Sequence, residues 1–127
     1  MNQQNINGTV LVVDDDEDFL EELTTVLSGS GYKTVVVSDP LIAADEVYRT
    51  RPNVVLVDIK MPGKSGLEVA YDIKRTPGTT HIPVVAMSAF FHDNTIPLLE
   101  LCGIKKCLKK PFNPLDLIDL IEKALPE

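Results

Sequence analysis

Short apolar runs alternate with amphipathic stripes along the chain. Five runs, Thr9–Val13, Lys33–Val37, Asn53–Val57, Pro83–Met87 and Lys105–Leu108, have the length of strands. Most are Val-rich, and the first and third show little polar alternation, as strands covered on both faces of a parallel sheet do. Between them lie helical patterns. Phe19, Leu20, Leu23, Val26 and Leu27 form one stripe that ends near Gly29 and Gly31. Asp39-Pro40 and Asn113-Pro114 each place a capping residue before a proline at the first helical position. Ser65-Gly-Leu-Glu68 has the form of a capping box, and Leu117, Ile118, Ile121 and Leu125 make the last stripe. The fourth helix is expected to begin near His92–Asn94 and to be limited by Pro97. Five strands alternating with five helices predict an α/β domain with a parallel sheet, helices on both faces and right-handed crossovers. The polar residues 1–8 read as a frayed tail, leaving 9–127 as one domain.

Ligands of such open sheets sit outside the carboxyl ends of the strands. The first run ends in the carboxylates of Asp14, Asp15 and Asp16, followed by Glu17 and Asp18. The third run ends in Asp58, the fourth in Ser88, and the fifth in Lys109 and Lys110. Clustered carboxylates repel unless a cation joins them, and oxygen donors without His or Cys select a hard one. Few protein oxygens, with room left for water and a phosphate, suit Mg²⁺ better than a Ca²⁺ cage. Asp58 can then act as a nucleophile, because carboxylates form aspartyl phosphates. A hydroxyl and an ammonium, Ser88 and Lys110, would hold the other phosphoryl oxygens. Each residue also has a plain reading. Asp16, Glu17 and Asp18 suit the positive end of a helix, Asp58 suits a turn, Ser88 can merely end a strand, and Lys110 can merely solvate a loop. The common sheet edge favours the chemical reading.

Composition narrows the partners. With 12 basic and 19 acidic residues the net charge is −7, which disfavours nucleic-acid or anionic-membrane binding by this chain alone. Two cysteines, Cys102 and Cys107, form neither a CxxC nor a metal-spaced cluster, so a reducing compartment is expected. MNQQNING lacks the features of a signal peptide, and no apolar run approaches a membrane span, so a cytoplasmic protein is expected. The opening at Met1 suggests a domain at the front of its protein, and the helix ending at Ala124-Leu125-Pro126-Glu127 suits either a stand-alone domain or one before a linker.

The segments VLVVDDDEDF, VVLVDIKMPGKSG, VVAMSAF and CLKKPF stand in an order and spacing that resemble the receiver domain of bacterial two-component response regulators, over residues 9 to 125. The resemblance implies a flavodoxin-like (βα)5 three-layer sandwich with strand order 2-1-3-4-5. It implies a sensor histidine kinase or histidine phosphotransfer protein as phosphoryl donor, Asp58 as acceptor, and a downstream effector or output domain as listener. Asp15 would bind Mg²⁺ directly, Asp14 through water, and the Lys60 main-chain carbonyl would complete the protein ligands. Ser88, in place of the commoner Thr, and Lys110 would contact the phosphoryl group, and Lys110-Pro111 would be cis.

Two features depart from, or qualify, that pattern. Cys107 stands where the family usually has the aromatic residue that reports phosphorylation to the face formed by helix four, strand five and helix five. Lys60 and Phe90 occupy positions that modulate loss of the phosphoryl to water, and their bulk predicts a long phosphorylated lifetime. Leu98, Leu99, Leu101, Leu115 and Leu120 exceed what one buried face requires, which suggests a homodimer or partner surface there. A haloacid-dehalogenase-type phosphotransferase would account for the D-x-D of Asp14–Asp16, but it needs a longer chain and a late acidic pair where this sequence has CLKKPF. A degenerate receiver, a pure interaction module, is the other alternative; the complete set Asp14, Asp15, Asp58, Ser88 and Lys110 argues against it.

Overall fold

The computed structural model describes residues 7–92 and 94–125. Five parallel strands, β1 (Gly8–Val13), β2 (Tyr32–Val37), β3 (Val54–Asp58), β4 (Val84–Ser88) and β5 (Lys106–Lys109), lie in the order β2-β1-β3-β4-β5. The chain is therefore a flavodoxin-like α/β sandwich with the expected strand order. Helices α1 (Glu17–Gly29) and α5 (Pro114–Ala124) cover one face of the sheet, while α2 (Ala43–Thr50), α3 (Gly66–Arg75) and α4 (Thr95–Leu101) cover the other. Val10, Val12, Leu56 and Met87 point to the first group of helices, and Leu11, Val13, Val57 and Ala86 to the second. All of β3 and β4 is buried, which is why these segments read as continuous apolar runs. Burying each such Val or Leu contributes roughly 1.5–3 kcal/mol.

The capping devices act largely as the sequence predicts. Asp16 Oδ1 accepts the Phe19 N–H at 3.2 Å, Ser65 and Glu68 close a reciprocal capping box, and Asn113 Oδ1 accepts the Leu115 N–H at 2.7 Å. Asp39 accepts from Leu41 N at 2.9 Å, but the turn it caps is a single 3-10 turn over Pro40–Ile42 that leads into α2. Pro97 does not limit α4; it is the third residue of that helix. The first four N–H groups of a helix have no intrahelical acceptor, so a proline there removes no bond. Of the tail read over residues 1–8, residues 1–6 lie outside the description; Asn7 bonds to Gly31 O and Ser30 O, and Gly8 opens β1. Among the described residues no helix is long and apolar enough to cross a membrane.

Candidate functional site

The parallel register carries the ends of β1, β3 and β4 to one edge. Asp58, the last residue of β3, pairs with Met87, so Ser88 lies one position beyond on the neighbouring strand. Asp14 follows β1 directly, and its backbone N–H bonds to Val37 O at 3.1 Å. Past β5, the Lys110 N–H bonds to Ser88 O at 2.8 Å, and the Lys110-Pro111 peptide bond is cis.

Asp14 and Asp58 are buried, at 1% and 8% exposure, while Asp15 is exposed at their side. A carboxylate oxygen from each of the three lies within 4.8 Å of the others. The Lys110 ammonium enters this group, donating to Asp14 Oδ2 at 2.6 Å and standing 3.7 Å from Asp58 Oδ1. Asp14 Oδ1 meanwhile accepts the Asp16 N–H at 3.0 Å, which folds the acidic loop around it. Ser88 is 2% exposed, and its hydroxyl donates to Phe90 O at 3.0 Å while accepting the Phe90 N–H at 3.2 Å. The structure thus brings Asp14, Asp15, Asp58 and Lys110 together, with Ser88 turned toward the loop after β4. Lys60 and Phe90 are both exposed; the Phe90 ring packs edge-on against His92 with centroids 4.2 Å apart.

The electrostatics of the group show what it lacks. The Asp58 carboxyl is pushed up to about 6, first by burial, then by the Asp14 charge, with a further push from Asp15. Lys110 and the Lys60 backbone N–H pull the other way without cancelling it. One ammonium among three carboxylates leaves excess negative charge in a half-dry pocket. A small hard dication fits this donor set of closely spaced oxygens with no imidazole or thiolate among them.

Two contributors were not singled out from the sequence as parts of this site. Gly66 opens α3 so close to β3 that a Cβ on it would stand 2.1 Å from the Asp58 carbonyl oxygen. Only a residue without a side chain allows that approach; the second of the two glycines in MPGKSG was the available signal. Phe19, which reads as part of the α1 core stripe, places its ring centroid 4.1 Å from Lys110 Nζ. No spacing rule relates positions so far apart in the chain.

A five-stranded, doubly wound sheet with an acidic triad and a lysine at its carboxyl edge defines a flavodoxin-like α/β protein. The family model for the response regulator receiver domain matches residues 10–122. The chain belongs to that family, whose general function is phosphorylation-based signalling. It is 34% identical over 91% of its length to the DNA-binding response regulator MtrA of Mycobacterium tuberculosis H37Rv, of which it spans about half, 50%. It is 31% identical to the polar-differentiation response regulator DivK of Brucella anthropi, over 92% of this chain and 95% of that one. The receiver domain of sensor histidine kinase PA1611 from Pseudomonas aeruginosa PAO1, a structure with magnesium coordinated in its active-site cleft, has the same fold. Its TM-score is 0.84 at 21% identity, covering 92% of this chain and 96% of that one.

Proposed function

We propose that Asp58 accepts a phosphoryl group from the phosphohistidine of a sensor histidine kinase or a histidine phosphotransfer protein, in a Mg²⁺-dependent reaction. The observation that carries this reading is the convergence of the Lys110 ammonium on Asp14 and Asp58, 2.6 and 3.7 Å away, beside the exposed Asp15. An Asp58 carboxylate oxygen attacks phosphorus, the P–N bond breaks, and the imidazole nitrogen keeps the electron pair and then takes a proton. Lys110 lies close enough to pair with an oxygen of the arriving group, and Ser88 reaches a second oxygen once its hydroxyl leaves Phe90 O. Asp15 and Asp58, with Asp14 through water and the Lys60 main-chain carbonyl, would hold Mg²⁺, as the magnesium in the PA1611 receiver supports. Held there, Mg²⁺ would supply positive charge to offset the negative charge that develops on the transferring phosphoryl group.

The listener is a downstream effector or output domain, and the face of α4, β5 and α5 is the surface assigned to it or to a second copy. Leu101 on α4 and Leu115 on α5 are both 77% exposed, whereas Leu98 lines a groove with Leu67 and Tyr71 of α3 instead, Leu99 is core and Leu120 is half-buried. Cys107 is exposed on β5 where the family usually has its aromatic reporter, so the signal has to reach this face without that ring.

Intact mass after incubation with acetyl phosphate and Mg²⁺ tests the acceptor. One phosphoryl group is expected on the wild-type chain and none on Asp58→Asn or in EDTA. A wild-type chain that gains nothing overturns the reading.

A further inference from the structure

The geometry points to Phe19 as a positioning residue that holds the Lys110 ammonium in place at the two buried carboxylates. This role rests on Asp58 being the phosphoacceptor. Lys110 has two tasks in that reaction: neutralising Asp14 at rest, and reaching an oxygen of the group arriving on Asp58. Its ammonium stands 2.6 Å from Asp14 Oδ2 and 3.7 Å from Asp58 Oδ1, at the end of a side chain with several free torsions. A hydrogen-bond acceptor placed behind it would steady the charge but would also occupy a donor. The Phe19 ring lies 4.1 Å from Nζ and does otherwise. Its π-face attracts the cation electrostatically and leaves the N–H donors for carboxylate and phosphoryl oxygens.

The ring is itself held from two sides. Phe112, just past the cis Lys110-Pro111 bond, meets it edge-on with centroids 5.8 Å apart and planes at 74°. On the backbone side, Asp16 caps the first turn of α1 by accepting the Phe19 N–H, and the Asp16 N–H is bound by Asp14. The acidic loop and the ring that steadies its counter-ion are therefore one hydrogen-bonded unit. Core packing alone does not require an aromatic here. The buried side chains of α1 are Leu20, Leu23 and Leu27, and Phe19 is only half-buried at their edge. A leucine would keep the apolar contact with this edge of the core, but it would lose the edge-on contact with Phe112 and has no face to offer a cation.

The test compares wild type, Phe19→Leu and Phe19→Tyr. In NMR spectra of the wild-type protein the ring current should move the Lys110 ε-methylene protons upfield. Phe19→Leu should abolish that shift, slow phosphorylation by acetyl phosphate about three- to tenfold, and leave Mg²⁺ affinity by calorimetry within about twofold. Phe19→Tyr should retain both the shift and the rate. Phosphorylation of Phe19→Leu at the wild-type rate, or a wild-type spectrum without the shift, overturns the role of Phe19 alone. A wild-type chain that is never phosphorylated overturns the acceptor reading and this role with it. If Phe19→Leu does not fold, the wild-type shift and its persistence in Phe19→Tyr decide between the two.

Discussion

Asp58 illustrates how a functional group is kept under tension by its surroundings. Its folded-state pKa of about 6 exceeds the ordinary 3.8 because burial and Asp14 both oppose its charge. The folded protein therefore binds the Asp58 proton more tightly than the unfolded chain does. This group's contribution to stability is complete below pH 3.8 and is lost as pH rises through about 6. At neutral pH the ionised carboxylate destabilises the metal-free fold by about 1–3 kcal/mol. Asp58→Asn removes the charge and keeps the shape. In EDTA at pH 7 it should raise the free energy of unfolding by about 1–3 kcal/mol, an advantage that shrinks toward pH 4. Urea titrations of both proteins across that range would check it; a pH-independent difference would mean that burial and repulsion are not the cause.

At the scale of elements, α3 is both a support and a constraint. Ser65 and Glu68 fix its first turn, and Gly66 sets that turn against the Asp58 carbonyl. A methyl group on Gly66 must push β3 and α3 apart, so Gly66→Ala should cost about 1–3 kcal/mol in urea unfolding. The same displacement moves Asp58, so a Mg²⁺ titration should show weaker binding; unchanged affinity would mean that the turn yields and the strand does not. The elements themselves were legible in the sequence because their signals are local. Every strand falls within a residue of its apolar run, and Ser65 and Asn113 cap where their patterns place them. Asp14, Asp15, Asp58 and Lys110 were legible as well, since a parallel sheet sends all of them to one edge. The exceptions have physical reasons. Pro97 reads as a limit because it cannot donate a hydrogen bond, yet in a first turn none is needed. Phe19 and Gly66 reveal their roles only against partners distant in sequence, one through a ring face and the other through an absent side chain.

For the whole molecule, a cation bound at the carboxyl edge acts on every strand that ends there. Ligand bound to the folded state alone stabilises it by about 2.7 kcal/mol at a hundredfold excess over Kd. Added Mg²⁺ should therefore raise the thermal midpoint of the wild-type protein, and chelation should reverse the gain. Asp15 is exposed, so Asp15→Asn should change metal-free stability by only about 0.5 kcal/mol while removing most of the Mg²⁺-dependent rise. Calorimetric scans with and without the ion would check this, and an undiminished rise in the variant would place the ion elsewhere. The distance along the chain between the partners has a further consequence. Lys110 meets Asp14 across 96 residues of sequence. During synthesis the carboxylates leave the ribosome well before the ammonium, so the acidic edge can gain this counter-ion only after the closing strand, β5, has been made.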